Sequence, residues 1–188
     1  GISFILIAMA MFAMSEALMI IFKGKDPSKA TKSISLSELG SIRLDKEERN
    51  KMLKTIPRSS VIGFLIGVLP GAGATIASFL AYGMERNFVS KEEKEKFGKG
   101  SVHGLAAPET ANNAACSGAF VPLLTLGIPG SGTTAVMLGA LLSFGIQPGP
   151  RLYMTNPEVF WSVIMSMYIG MVILLILNLP LIPYIARL

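Results

Sequence analysis

The chain is poor in charged residues and contains only one cysteine and one histidine. Charged residues make up 15% of its 188 positions, against about 25% in soluble domains. The single Cys116 excludes an intrachain disulfide, and its small neighbours indicate packing rather than a reactive thiol. His103 has no partner at metal-ligand spacing, which favours a hydrogen-bonded interfacial histidine over a ligand. Together with long uncharged stretches, this shortage of charge indicates an integral membrane protein.

The charges that are present are concentrated in two segments. Residues 23–58 contain ten Lys and Arg against five Asp and Glu, and residues 85–100 contain five against four. Basic loops stay on the cytoplasmic side during insertion, so the net charge of +5 is interpreted as a topology signal. Basic and aromatic residues do not interleave in these segments, and nothing therefore indicates a nucleic-acid partner.

An apolar stretch near each end of the chain is long enough to cross a lipid bilayer. Ile2–Phe22 has 21 residues, which at about 1.5 Å per residue span about 30 Å. Glu16 within it is either an ion or proton site or a side chain that reaches the interface, and the second interpretation is favoured. Val159–Leu179 predicts a second crossing, which Pro180 and Pro183 are expected to end.

A short helix-breaking phrase occurs twice inside apolar segments. Leu69–Thr75 and Ile128–Thr134 both have the form apolar-Pro-Gly-x-Gly-x-Thr, 59 residues apart. Proline removes a backbone donor and glycine loosens the backbone, so a helix is predicted to stop at each copy. In lipid, a broken helix is tolerated only against protein, water or a ligand. Two breaks in corresponding positions indicate the binding site of a transporter, and a kink needed only for packing is the alternative.

The helices around these breaks are predicted to be short. Pro57 is expected to end an amphipathic surface helix at Leu44–Leu53. Ser59–Leu69 and Ala74–Met84 then have 11 residues each, or about 16 Å as helix, which is about half a bilayer. Such arms favour a re-entrant hairpin over one interrupted span. A further helix is predicted to start at Ala106–Thr110, and the segment after it is either bent back or a kinked crossing.

The sequence therefore predicts an all-α integral membrane protein with transmembrane helices and Pro-Gly-broken or re-entrant hairpins. The predicted order is a transmembrane helix at 1–22, a basic cytoplasmic loop with an amphipathic helix at 23–58, a broken or re-entrant hairpin at 59–84, a charged loop at 85–104, a second broken helical segment at 105–146, a surface turn at 147–158 and a transmembrane helix at 159–188.

The chemistry of the two breaks suits an anion together with a small cation. The helix that follows a break exposes amide N–H groups at its positive end, and nearby hydroxyls add donors. Unwound carbonyls before a break can coordinate Na⁺. Substrate- and ion-binding residues are accordingly predicted at Pro70, Gly71, Gly73, Thr75, Pro129, Gly130, Ser131, Gly132, Thr133 and Thr134.

Two adjacent amides, Asn112 and Asn113, lie in a run of small residues. Their oxygens could ligate Na⁺ with backbone carbonyls near Gly71 and Gly130, or the amides could hydrogen-bond neighbouring helices, and both interpretations stay open. Neither break carries the lysine of a nucleotide-binding loop. No helix offers a base that would activate Ser131, so an enzyme is not predicted.

Three stretches resemble a known family. They are LPGAGATIASFLAYGMER, FGKGSVHGLAAPETANNAA and VPLLTLGIPGSGTTAVMLGALLSFGIQPGP. In order and spacing, from about Ser59 to Pro183, they are similar to the large membrane subunit (TctA) of bacterial tripartite tricarboxylate transporters. The first 58 residues match only in general character. The family has Ser-Ala-Thr-Thr after the second Pro-Gly, where this chain has Gly132 in the second place.

The resemblance implies a multi-pass permease of the bacterial inner membrane. Its expected partners are the lipid bilayer, a small membrane subunit and a periplasmic binding protein that delivers a di- or tricarboxylate such as citrate. Import would be driven by Na⁺ or H⁺ without another cofactor. Family members are longer, so the chain is expected to be a middle-to-C-terminal portion, one half of an inverted-repeat transporter. The alternative function is an ion channel with a broken-helix filter, and an intramembrane enzyme ranks last.

Overall fold

The structure is a computed structural model, and it describes residues 45–185 together with Leu18. Every regular element among these residues is a helix, as the sequence predicts. The predicted first transmembrane helix with Glu16 and most of the loop at 23–58 lie outside the described residues. The chain divides into two compact units, Ser41–Asn178 and a second unit of Gly1–Gly40 with Leu179–Leu188. The helices are α1 (Lys46–Val68), α2 (Gly73–Phe88), α3 (Lys91–Glu95), α4 (Val102–Gly118), α5 (Phe120–Leu126), α6 (Gly132–Ser143), α7 (Leu152–Thr155) and α8 (Pro157–Ile185).

Helix α1 begins at a capping box and continues through a proline. The Asp45 carboxylate accepts the Glu48 N–H, and the Glu48 carboxylate accepts the Asp45 N–H. The prediction that Pro57 ends this helix is wrong, and so is a boundary between a loop ending at 58 and a helix starting at 59. A proline in a helix interior costs about 3 kcal/mol. Here Pro57 is exposed, and the buried residues Thr55 and Ser59 on either side pack against other helices, which offsets that cost.

The first Pro-Gly phrase joins α1 and α2 into an antiparallel hairpin. The chain turns between Leu69 and Ala72, and Gly71 and Gly73 have positive φ angles of 82° and 70° that favour glycine. The arms fold back on each other rather than running on in line, because Arg58 of α1 pairs with Glu85 of α2. Whether this hairpin re-enters a membrane stays a prediction.

The predicted charged loop at 85–104 is largely helical. Helix α2 runs on to Phe88, α3 follows, and α4 begins at Val102 with the Ser101 hydroxyl accepting the Gly104 N–H. The prediction of a helix start at Ala106–Thr110 is therefore wrong. Pro108 lies inside α4, since a capped first turn and buried contacts before the proline hold the helix together.

Helices α1, α2 and α4 meet through residues spaced four apart. Helices α1 and α4 are parallel and so close that a Cβ built on Gly63 or Gly67 would lie 2.6 Å from the Cα of Ala111 or Ala115. Small residues allow such backbone contact between membrane helices. The buried stripes are Thr55, Ser59, Gly63 and Gly67 on α1, Ala77, Ala81 and Glu85 on α2, and His103, Ala107, Ala111 and Ala115 on α4.

The predicted second broken segment, 105–146, contains a one-residue interruption of the helix at Ala119 as well as the break at the second Pro-Gly phrase. Helix α4 passes into α5 at Ala119, because Pro122 supplies no N–H to the carbonyl four residues earlier. Helix α5 then ends at Gly127 in the left-handed conformation, and α6 begins after the second Pro-Gly phrase. The chain returns to α5 after α6, where the Gly149 N–H donates to the Leu124 carbonyl.

The predicted surface turn at 147–158 contains the short helix α7, whose Leu152 is buried against Leu124 and Val163. Helix α8 then runs to Ile185, so the prediction that Pro180 and Pro183 end it is wrong. One missing hydrogen bond does not stop a long run of apolar residues with local backbone bonds. Among the described residues, Pro157–Ile182 is the helix long and apolar enough to cross a membrane, and only 6% of its most apolar window is buried.

Candidate functional site

The first Pro-Gly phrase opens onto the surface of the hairpin. Pro70, Gly71 and Thr75 are exposed, and Gly73 is half-buried as the first residue of α2. Ala72 stands at the cap position, so no side chain caps the first amides of α2. The Thr75 hydroxyl also makes no hydrogen bond to any residue that the structure describes. The start of α2 therefore offers unpaired donors, as an anion requires.

The second phrase is more enclosed, and its hydroxyls bond to one another. The Ser131 hydroxyl accepts the Thr134 N–H at 3.2 Å, and the Thr134 hydroxyl accepts the Ser131 N–H at 2.8 Å. Gly130 and Thr134 are buried, Pro129 and Ser131 are half-buried, and Gly132 and Thr133 are exposed. Two hydroxyls predicted as ligand donors are thus used by the helix cap, whereas that of Thr133 has no hydrogen-bond partner in the described part of the chain.

The two breaks lie at the same end of the three-helix core. A Cβ on Gly130 would lie 3.4 Å from the Cβ of Ala119 and 3.7 Å from the carbonyl oxygen of Gly67. Gly67 is two residues before the start of the first phrase, so the second phrase packs against the end of α1. Gly67 and Gly130, which are 63 positions apart in the sequence, are brought together in this way.

The two adjacent asparagines point to different surroundings. Asn112 is half-buried, and its Nδ2 donates to the Ser78 hydroxyl of α2 at 3.3 Å. Its Oδ1 lies 3.9 Å from the thiol of Cys116, which is exposed rather than packed. Asn113 is exposed and donates to the Glu109 carbonyl of its own helix. The structure therefore places Asn112 between helices and Asn113 on the outer surface.

No cluster of three or more His, Cys, Asp or Glu that could hold a metal occurs among residues 45–185. A crevice of about 320 Å³ between α1, α5 and α8 is lined mainly by apolar side chains, among them Phe64, Phe120 and Phe160. Ser117, Thr125 and Tyr168 supply its polar groups, and no charged residue lines it. A carboxylate would lose hydration there without compensation, so the crevice is not a candidate substrate site.

Comparison with known proteins decides what kind of protein carries this geometry. A family model described as "Tripartite tricarboxylate transporter TctA family" matches residues 1–188. The chain belongs to the TctA family. The resemblance found in the sequence is confirmed, and its limit near Ser59 is wrong because the match covers the first 58 residues as well.

Two relatives come from Agrobacterium vitis. An "uncharacterized 52.8 kDa protein in TAR-I ttuC' 3'region" is 40% identical over 182 residues, which are 97% of this chain and 35% of that protein. An "uncharacterized protein in TAR-II ttuC' 3'region" is 52% identical over 120 residues, which are 64% of this chain and 49% of that protein. This TctA-family chain therefore spans about a third to a half of the length of these relatives. No solved structure matches it.

The family that the chain belongs to is thus described as one of tripartite tricarboxylate transporters.

The structure of this TctA-family chain contains a buried polar cluster that was not predicted from the sequence. Glu85 Oε1 accepts the Arg58 Nη2 at 2.6 Å and the Thr55 hydroxyl at 2.8 Å, and lies 3.1 Å from His103 Nδ1. The Glu85 side chain is 2% exposed and that of His103 is 9% exposed. Arg58 also lies over the ring of Phe88, 5.3 Å from its centre. Three helices are therefore joined at one carboxylate oxygen, at the opposite end of α1 from the breaks.

The cluster could have been predicted from the four-residue spacing of the small residues. Glu85 stands four residues after Ala81, which stands four after Ala77, so the carboxylate continues a buried stripe. His103 continues the stripe of α4 in the same way, four residues before Ala107. The interpretation of His103 as a hydrogen-bonded histidine is confirmed, but its place in a charged loop is wrong.

A second charge cluster, half-buried at Lys51 and Glu93, links α3 to α1 and predicts an acid-sensitive contact. Glu93 accepts hydrogen bonds from Lys96 and Lys51, which hold the pKa of its carboxyl below the usual range. Hydrogen bonds to Glu47 and Glu93 raise the pKa of Lys51. A lowered carboxyl pKa gives stabilisation that is present above the ordinary value of about 4.3 and is lost as the pH falls through the folded-state value.

We therefore expect α3 to loosen from α1 below about pH 4, as measured by amide hydrogen exchange corrected for the intrinsic effect of pH. Glu93→Gln should show the faster exchange already at neutral pH, while Glu92→Gln should behave as the wild type because Glu92 is exposed outside this cluster. Equal exchange in all three proteins at every pH would contradict the assignment.

Proposed function

We propose that the protein containing this chain is the membrane permease of a tripartite system that imports di- or tricarboxylates such as citrate. In this proposal a periplasmic binding protein delivers the substrate, a small membrane subunit completes the assembly in the inner membrane, and a cation gradient drives uptake. Membership of the TctA family supports the class of substrate and the tripartite assembly. The complete activity belongs to the longer protein, of which the chain spans a part.

The observation that carries the proposal is the position of the two Pro-Gly breaks at the same end of the core, where Gly130 packs against Gly67. The uncapped start of α2 directs amide N–H groups outward, and the Thr75 hydroxyl beside them has no hydrogen-bond partner among the described residues. A carboxylate bound there would accept charge-assisted hydrogen bonds at the positive end of the helix. The second break, with Gly130 against Gly67, packs against the end of α1 that leads into the first break.

The coupling ion is proposed to be Na⁺, bound by backbone carbonyls near Gly71 and Gly130. The Asn112 oxygen is proposed as a ligand of a separate cation position, because Asn112 stands seven residues, or about 10 Å, before Ala119 on α4. Oxygen atoms of carbonyl and amide groups suit a hard cation, and a bound cation would stabilise the neighbouring carboxylate. Asn112 is the better candidate of the two asparagines, because Asn113 lies on the exposed side of α4. H⁺ as the coupling ion is the alternative that the test must separate.

Uptake of labelled di- and tricarboxylates by the full-length assembly in vesicles tests this function. We expect uptake that requires the binding protein and a Na⁺ gradient. Uptake that follows a pH gradient in the absence of Na⁺ would assign the coupling to protons. A passive carboxylate current without any coupling ion would instead favour the channel.

Two threonine substitutions test whether the proposed hydroxyl donors to the substrate matter more for uptake than a threonine hydroxyl outside the proposed site. Thr75→Val and Thr133→Val keep the shape of the side chain and each remove an unpartnered hydroxyl, and a lost hydrogen bond to a charged ligand lowers uptake about tenfold or more. Thr125→Val is the matched control, because that hydroxyl donates to the Val121 carbonyl of its own helix. Wild-type uptake in both test variants would refute the placement of the substrate.

A further inference from the structure

The cluster of Thr55, Arg58, Glu85 and His103 takes no part in the proposed substrate site. Thr55 lies 12 residues before Gly67 on α1, which at about 1.5 Å per residue places the cluster about 18 Å from the breaks. Its carboxylate and imidazole are both buried and come from different helices, α2 and α4. A buried acid and a buried histidine in contact are groups whose charge depends on bound protons.

The distances restrict where the protons of this cluster can be. The Thr55 oxygen lies 2.8 Å from Glu85 Oε1 and 2.7 Å from His103 Nδ1, while Nδ1 lies 3.1 Å from the same carboxylate oxygen. A hydroxyl has one proton to donate. The Lys51 carbonyl lies 3.0 Å from the Thr55 oxygen and is a competing acceptor. With Glu85 ionised beside Arg58, the Thr55 proton goes to the carboxylate, because two oxygens at 2.8 Å without a proton between them would repel each other, and Nδ1 must carry a proton of its own. A bare Nδ1 would place its lone pair against that of the carboxylate.

The other ring nitrogen is then open to a proton. With Nδ1 protonated, neutral His103 has a lone pair at Nε2. Among the described residues, Arg58 Nε is the one side-chain nitrogen or oxygen atom that is fully buried and has no hydrogen-bond partner. Nε2 of His103 makes no hydrogen bond and is not such an atom, so it is accessible from the surface of the described chain. A proton can be added at Nε2 while every contact at Nδ1 is kept.

The other charged groups around the cluster are paired with one another. Binding of a proton at Nε2 is therefore the step that changes the net charge of the cluster. Arg58 on α1 and Glu85 on α2 cancel one another at 2.6 Å. Helix α4 contributes His103 itself, and α3 contributes Glu93, which is paired with Lys96 and with Lys51 of α1. An added proton therefore converts a hydrogen bond between α2 and α4 into an ion pair, without a second carboxylate in the cluster to compete for it.

We propose that His103, Thr55 and Glu85 form a proton-binding site that joins α4 to the α1–α2 hairpin and makes import respond to pH. The proton enters at Nε2 and the resulting imidazolium pairs with the Glu85 carboxylate through Nδ1. The site lies apart from the predicted Na⁺ ligands. Its effect on import rests on the proposed function, whereas the binding of the proton does not.

Nitrogen NMR of the ¹⁵N-histidine-labelled full-length protein tests the site without any transport measurement. The signal of His103 is the one lost in His103→Gln. We expect a ring protonated at Nδ1 and bare at Nε2 at high pH, and one further proton at Nε2 as the pH is lowered through the range in which the protein stays folded. A ring protonated at Nε2 alone, or no change across this range, would overturn the proton site.

Two substitutions give the controls for this measurement. Glu85→Gln can donate as well as accept, so the preference for the Nδ1-protonated ring should be lost. Glu92→Gln removes a carboxylate from α3 that makes no contact with the cluster, and the preference should remain. Loss of the preference in both variants would overturn the assignment to Glu85.

The consequence for import is measured as the initial rate of uptake over the same pH range, at equal amounts of protein in the membrane. We expect the pH-dependent part of the rate to be lost in His103→Gln and kept in Glu92→Gln. An unchanged pH profile in His103→Gln would overturn the effect on import, even if NMR shows the proton. Absence of all carboxylate uptake in the wild type would contradict the proposed function and leave the NMR result standing.

Discussion

Replacing Gly67 by alanine is expected to destroy the packing of α1 against α4. The added Cβ would lie 2.6 Å from the Cα of Ala115, and both atoms belong to backbones that cannot turn away as a side chain can. Overpacking costs about 1–3 kcal/mol even where side chains can adjust, so this substitution should cost at least the upper end of that range. We expect a lower unfolding temperature of the full-length protein in detergent and uptake near background.

Gly83→Ala is the matched control for this prediction. Gly83 lies inside α2, and no atom lies within 4 Å of a Cβ built on it. Alanine is the better helix former by about 0.8–1 kcal/mol, so this variant should be as stable as the wild type or more so. Equal stability of Gly67→Ala and Gly83→Ala would show that the two helix backbones are not in contact.

Removal of the Glu85 carboxylate is expected to be the most damaging change at the other end of the core. Glu85→Leu leaves Arg58, Thr55 and His103 without their common acceptor. Breaking a buried ion pair on one side costs about 3–5 kcal/mol. We expect the lower end of that range, because the Arg58 side chain is 38% exposed and can turn toward water. Thermal unfolding of the full-length protein and its resistance to protease would measure the loss.

A double variant distinguishes a lost ion pair from a poorly fitting leucine. Arg58→Leu combined with Glu85→Leu removes both charges, and the double variant should recover part of the stability that Glu85→Leu loses. The control Glu92→Gln should stay within about 0.5 kcal/mol of the wild type, as exposed substitutions do. If the losses of unfolding free energy in Arg58→Leu and Glu85→Leu simply add up in the double variant, the ion pair contributes nothing beyond packing.

The helical class, the capping box at Asp45 and the two breaks could be predicted because each depends on neighbouring residues. The ends of helices could not be predicted from the positions of the prolines. Pro57, Pro108 and Pro180 all lie inside helices. A proline weakens a helix by a roughly fixed amount, and the contacts that offset it at Pro57 and Pro108 come from residues that are distant in the sequence.

In the candidate site too, features that depend on neighbouring residues could be predicted, and contacts between distant residues could not. The helix-breaking phrases and the exposed Thr75 and Thr133 follow from local chemistry. The capping role of Ser131 and Thr134 could have been inferred from their three-residue spacing, which is typical of a capping box. The contact of Gly130 with Gly67 could not, since nothing in one sequence states which helices pack together. The cluster at Glu85 was overlooked because its residues stand in segments that look like solvated loops, although the four-residue spacing of the buried stripes continues into them.

The closeness of α1 and α4 bears on the transport function that we propose. With Gly63 and Gly67 resting on the backbone of α4, no side chain fits between the two helices at these positions. The interruption at Ala119, where Pro122 removes a helix bond, and the left-handed Gly127 lie beyond this closely packed pair. In the transport cycle that we propose, α5 and α6 would move about these two points while α1 and α4 stay packed together.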